Sequence, residues 1–179
     1  MILIGLGSNL TTPEFSSSEV IIEYALNELS KYDVFINQRS KFYKTEPVPK
    51  SDQPWFVNAV VSVDTNHKAL SLLDILHQIE RSMGRIRKHR WEARVIDLDL
   101  LAYHNEIYPD QESWKEMAEL DVPNQLIIPH GRMHERNFVL IPLSEITETW
   151  EHPVLAMSVK DMLNENNAHP DKKNIVRKI

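Results

Sequence analysis

The sequence predicts an α+β sandwich: a ferredoxin-like βαββαβ order, with an antiparallel sheet, helices packed on one of its faces, and a C-terminal extension. Three observations point there. Apolar or β-branched runs at Met1–Gly5, Asn58–Asp64 and Val95–Tyr103 read as strands. Two stretches between them repeat apolar residues with helical spacing, at 22–29 and 72–83. The intervening segments carry turn residues, with no internal repeat and no linker, so one domain over 1–179 is expected.

Met1–Gly5 is a short buried-strand candidate that ends at Gly5-Leu-Gly7. Ser16 to Ser18 offer N-caps for a helix whose inward face is Ile22, Ala25, Leu26 and Leu29. Residues 34–43 read as one extended, partly exposed segment. Pro47, Pro49 and Pro54 then impose a stiff loop. After the strand at Asn58–Asp64, Ser71 and Asp74 suggest a capping-box start for a helix carrying Leu72, Ile75, Leu76, Ile79 and Met83. Gly84 stands where that helix should stop. A strand follows at 95–103, then an acidic stretch at 106–122, the segment 126–146, and a weaker helix near 158–164.

Composition excludes several classes of function. There is no cysteine, hence no disulfide, no thiolate zinc site and no Cys nucleophile. No apolar stretch approaches the roughly 20 residues needed to span a bilayer, so a cytoplasmic protein without membrane contacts is expected. Twenty basic against 26 acidic side chains leave −6, which argues against nucleic acid as a partner. The charge is unevenly placed. Residues 85–94 (RIRKHRWEAR) hold five basic groups against Glu92, whereas 106–121 hold six acids against Lys115.

The strand beginning at Arg94 carries the chemistry. Alternation puts Ile96, Leu98 and Leu100 on one face and Asp97 and Asp99 on the other, about 6.6 Å apart. Two carboxylates at that spacing suit Mg²⁺, a hard cation bound through one or two carboxylates plus substrate phosphates. Alone, the pair reads equally as the wet side of an edge strand, and the basic run as a solvated face. Together with Arg85, Arg87, Arg90 and Arg94, whose guanidinium forks match phosphate oxygens, they make a polyphosphate site. Trp91 either covers a substrate or anchors its loop. No GxxxxGK[ST] motif occurs, and Leu10 stands where a dinucleotide fingerprint needs its third glycine. His130 and His134 have zinc-like spacing but no third ligand, so His130 and Arg136 are read as hydrogen-bonding or phosphate-facing groups. Trp55 and Phe56 beside Asn58 suit a flat heterocycle, or simply a core.

In order and spacing, Gly7-Ser-Asn-Leu10, Phe42 to Val48, Asp52 to Asn58, Glu80 to Arg87, Arg90-Trp91, Arg94 to Asp99 and Pro129 to Phe138 resemble the 6-hydroxymethyl-7,8-dihydropterin pyrophosphokinase family, over about residues 1–146. The resemblance implies transfer of pyrophosphate from ATP to the pterin hydroxymethyl group, releasing AMP, by a monomer acting on small molecules. It implies that Asp97 and Asp99 hold two Mg²⁺ ions, with Arg87 and Arg94 catalytic beside them. For ATP it implies Glu80, Arg85, Arg87, Arg90, Trp91, Arg94, Leu100, His130 and Arg136. For the pterin it implies Gly7, Thr45, Glu46, Pro47, Val48, Phe56, Asn58, Trp91, Asp97 and Phe138. Departures from the family pattern are Glu92-Ala93 in place of Gly-Pro, Gly131 where Pro or Tyr commonly follows the histidine, Ile127 in place of Thr, Pro49 in place of Gly, and a longer acidic connection. A palm-like nucleotidyltransferase, which releases pyrophosphate, and a non-catalytic anion-sensing module are the rival readings.

Overall fold

The computed structural model describes residues 1–48, 50–84, 94–120, 126–169 and 175–179. Along them run β1 (Ile2–Ser8), α1 (Ser18–Ser30), β2 (Phe35–Arg39), β3 (Tyr43–Thr45), β4 (Phe56–Asp64), α2 (Ala69–Ser82), β5 (Asp97–Tyr103), α3 (Gln111–Ala118), a 3₁₀ turn (Met133–Glu135), α4 (Asn137–Ser144), α5 (Val159–Ala168) and β6 (Val176–Lys178). The strands form one antiparallel sheet in the order β5-β1-β4-β3-β6, with β2 also paired to β4. Counting β2 and β3 as one strand, the first four positions are those of a ferredoxin-like sheet. No helix among the described residues is long and apolar enough to cross a membrane.

One face of the sheet is closed by the two helices that the sequence marks. Ile2, Ile4 and Leu6 of β1 join Val57, Ala59, Val61 and Val63 of β4 and Leu98 and Leu100 of β5 against α1 and α2. Ser17 caps α1 by accepting the Val20 amide. Gly84 follows α2 at φ +88, the left-handed conformation that glycine adopts without strain.

Three expectations need correction. Helices cover both faces, not one: Leu3, Val60, Leu101 and Ala102 pack against Val139, Leu140 and Leu143 of α4 and Val159 and Met162 of α5. The extended segment 34–43 is two strands, because the Ser40 hydroxyl accepts the Val60 amide at 3.0 Å and interrupts the backbone ladder. α2 begins at Ala69, behind Lys68 and without a side-chain cap, so Ser71 and Asp74 lie inside it. The earlier start adds Ala69 to the buried stripe of Leu72, Ile75, Leu76 and Ile79. Tertiary burial, more than capping, sets helix limits of this kind.

The acidic stretch is also more than a charged surface. Asp110 caps α3 through the Glu112 and Ser113 amides, and the helix turns Trp114 and Met117 into a small core with Ile127 and Val154. A Cβ on Gly131 would meet Ile127 at 2.5 Å and the Ala118 backbone at 3.1 Å. Glycine at 131 is what lets α3 lie this close to the turn after His130.

Candidate active site

Residues directly opposite one another in an antiparallel sheet share a face. Asp97 of β5 faces Gly7 of β1, Gly7 faces Asn58 of β4, and Asn58 faces Tyr43 of β3. The next row runs from Asp99 through Gly5 to Val60. On this face β1 thus contributes two glycines between the aspartates and β4. A Cβ on Gly7 would come within 3.0 Å of the Asn58 side-chain oxygen. The result is a shallow strip at Gly7, with a half-buried carboxylate on one side and a buried amide on the other, while the Leu101 side chain packs against Gly5. α4 and α5 cover the neighbouring half of the same face.

Asn58 is oriented from the far side: its amide nitrogen donates to the Thr45 hydroxyl at 2.8 Å, and both residues are buried. Phe56 pairs with Thr45 and is half-buried. Of the loop that follows β3, Glu46 is half-buried, Pro47 buried and Val48 exposed. Phe138, on α4, is half-buried beneath the Arg136 guanidinium, 5.6 Å from its ring centre.

Cationic groups meet the aspartates from two directions. Arg94, just before β5, forms an ion pair with Asp97. His130 arrives through a β-bulge: the register of β1 against β5 shifts so that Leu101 is left over, and the Leu101 carbonyl accepts the His130 amide at 2.8 Å. Burial pushes the His130 imidazole below its ordinary range, with Asp99 acting against that and Arg136 with it. Burial likewise lowers Arg136, opposed by Asp99 and Asp97. Both side chains therefore feel the same two carboxylates. A neutral His130 is a hydrogen-bonding group here, its Nδ1 accepting the Arg132 amide at 3.1 Å.

Other expected residues fall differently. Glu80 and Leu100 have buried side chains, 2% and 3% exposed. Glu80 accepts the Leu98 amide at 2.7 Å, which fixes the outer side of β5 beside the aspartates. Only the backbone of Leu100 is left to face outward from this strand, which Glu80 supports. Arg85, Arg87, Arg90, Trp91, Glu92, Ala93 and Pro49 lie outside the described residues. Asn9, within the Gly7-Ser-Asn-Leu10 motif, ties Arg94 to the Gln53–Pro54 stretch. Its side chain accepts the Arg94 amide at 2.7 Å and donates to Gln53 at 3.3 Å and to the Pro54 carbonyl at 3.1 Å.

A profile of the 7,8-dihydro-6-hydroxymethylpterin-pyrophosphokinase family matches residues 3–148. The chain belongs to that family. It is similar to the 2-amino-4-hydroxy-6-hydroxymethyldihydropteridine pyrophosphokinase of Haemophilus influenzae, 41% identical over 143 residues that cover 80% of this chain and 79% of the relative. The Bacillus subtilis protein of the same name is 36% identical, covering 83% and 78%. A folate synthesis bifunctional protein of Arabidopsis thaliana is 35% identical, over 83% of this chain and 27% of that longer protein.

The donor set on β5 fits a hard divalent metal. Two carboxylates stand two residues apart on one strand face, and the described residues contain no group of three His, Cys, Asp or Glu able to cage an ion alone. Mg²⁺ bound through few protein oxygens, with waters and phosphates completing its shell, suits that pair.

Proposed function

We propose that the protein transfers pyrophosphate from ATP to the hydroxymethyl group of 6-hydroxymethyl-7,8-dihydropterin, giving AMP and the pterin diphosphate of folate synthesis. The observation that carries this reading is the strip at Gly7, with Asp97 on one side and Asn58 on the other. A planar ring laid along it meets an amide at one edge while its substituent reaches the carboxylates. In this reading Asn58 hydrogen-bonds the ring, Phe56 and Phe138 stack on its faces, and residues 45–48 and Gly7 line it, mainly with backbone. The resemblance adds Trp91, outside the described residues, to these ring contacts.

A primary hydroxyl is a weak nucleophile, so catalysis rests on alignment with the β-phosphorus and on neutralising charge. Asp97 and Asp99 would hold two Mg²⁺ ions, which would supply charge neutralisation for the phosphates. Arg94 exchanges its ion pair with Asp97 for a phosphate oxygen, and Arg87 acts beside it. His130 and Arg136 receive phosphate oxygens from the side of α4, and the resemblance adds Arg85 and Arg90 to these phosphate-binding groups. The Leu100 backbone, on the strand that Glu80 supports, meets the nucleotide. Closure over the phosphates excludes water, which otherwise competes as acceptor. The enzyme works as a cytoplasmic monomer.

The test is incubation with hydroxymethyl-dihydropterin, ATP and Mg²⁺, following AMP and pterin diphosphate together. Both are expected in equal amounts. Free pyrophosphate in place of AMP would mean nucleotidyl transfer, and no turnover by folded protein would leave a binding module.

A further inference from the structure

β6 lies beyond the family match, which ends at residue 148, but it is joined to the wall of the site. It pairs with β3 so that Val176 faces Thr45, Arg177 faces Lys44 and Lys178 faces Tyr43. The Ile179 amide continues the ladder to the Phe42 carbonyl at 3.0 Å. β3 has only three residues, so the pairing it makes on each side is short. With β4 on one side and β6 on the other, it is clamped where Thr45 grips Asn58.

Two side chains of β6 strengthen the clamp. Lys178 ion-pairs with Glu145 at the end of α4, and the same carboxylate accepts the Lys41 amide at 2.6 Å and the Tyr43 hydroxyl. Arg177 stands directly opposite Lys44, an unfavourable register for two cations. Its guanidinium instead lies over the Trp55 indole, 5.3 Å from the ring centre, where the cation is attracted by the ring face. Trp55 immediately precedes Phe56 and follows the Gln53–Pro54 stretch that Asn9 holds.

We propose that β6 is a positioning strap for the pterin wall, holding Thr45 by strand pairing and Phe56 by the attraction of Arg177 to its chain neighbour Trp55. This rests on the reading of Asn58 and Phe56 as pterin contacts. Arg177 touches no reacting group and acts through Trp55, so its signature is a change in pterin affinity without a change in chemistry.

The experiment compares the full chain with Arg177→Ala, Arg177→Lys and a form lacking residues 175–179. Arg177→Ala should raise KM for the pterin about tenfold and leave kcat and KM for ATP within about twofold. Arg177→Lys, which keeps a cation over the indole, should recover most of that loss. The shortened form should show a larger rise in pterin KM. Unchanged pterin KM in all three overturns the strap. So does a parallel fall in kcat and in affinity for both substrates, tracking a lowered Tm, because that is loss of fold. The unsubstituted chain is assayed first. If it releases no AMP, the assigned reaction fails. If it does and the variants match it, only the strap fails.

Discussion

The two faces of the sheet are built from the same strands and do opposite things. On one, Ile2, Ile4, Leu6, Val61, Val63, Leu98 and Leu100 meet α1 and α2 in an unbroken apolar layer. On the other, Leu3, Val60 and Leu101 are covered by α4 and α5, while Gly5, Gly7, Asn58, Asp97 and Asp99 occupy the rest. Strand alternation makes this possible, since neighbouring residues of β1 or β5 belong to different faces. Parity along a strand therefore separates stability from chemistry. Even-numbered positions of β1 hold the fold together, and odd-numbered ones near its end shape the site.

The largest expected effect tests the functional face alone. Asp97→Asn removes a charge that the proposed reaction sets against the phosphates and should cost several kcal/mol of transition-state stabilisation, about 10³-fold in kcat. Thermal unfolding should move little, because Asp97 is half-buried and packs no core. If AMP release survives within tenfold, chemistry does not lie on this face.

The opposite change tests the closed face. Leu72→Ala empties a fully buried position in α2 and should destabilise the protein by about 3 kcal/mol. Kinetic constants of the folded fraction should stay within about twofold. Denaturant unfolding and steady-state rates measured on one preparation check both halves. A large rise in pterin KM would mean that the two faces are mechanically coupled.

A third prediction concerns the covered half of the second face. His152 is fully buried between Trp114, Trp150 and His134, and its Nδ1 accepts the Val154 and Leu155 amides. Burial, reinforced by His134, lowers its pKa from 6.5 to about 4. Between those values the unfolded chain binds the proton and the folded one does not, so stability falls as pH falls through that window. By pH 5 the loss from this group should reach about 2 kcal/mol. His152→Gln should be less stable at neutral pH and lose that part of the slope in equilibrium unfolding between pH 6.5 and 4. An unchanged slope would place the titrating group elsewhere.

The faces were not equally legible in the sequence. Periodicity marks α1 and α2 and hence the closed face, and the alternation from Ile96 to Leu100 puts Asp97 and Asp99 on the other. The cover of that other face is hidden. α4 reads Asn137-Phe-Val-Leu-Ile-Pro-Leu-Ser144, apolar almost all round with Pro142 inside, so no stripe announces a helix. α3 is masked by its acids, only Trp114 and Met117 facing inward. His130 comes beside Asp99 through a bulge at Leu101, and a one-residue register shift leaves no compositional trace. Asn9 looks like any turn residue until Gln53 and Pro54, more than forty positions away, are brought to it. The break between β2 and β3 depends in the same way on Ser40 meeting Val60. Local patterns carry each strand's parity; what lies across a face is set by long-range pairing.

Gly7→Ala gives the smallest effect and the sharpest test of parity. Its Cβ would enter the strip between Asp97 and Asn58 and approach the Asn58 side-chain oxygen to 3.0 Å, so Asn58 must shift by a few tenths of an ångström. That shift strains the 2.8 Å bond from Asn58 to Thr45 and narrows the space for a ring. Gly7 is in extended backbone that alanine also adopts, so the fold has no conformational reason to suffer. Pterin affinity should fall about tenfold, near 1.4 kcal/mol, with ATP affinity and Tm nearly unchanged. Equilibrium titration with the pterin, read by fluorescence, measures it without turnover. Equal affinity for the two proteins would mean that the ring lies elsewhere than along the glycine strip.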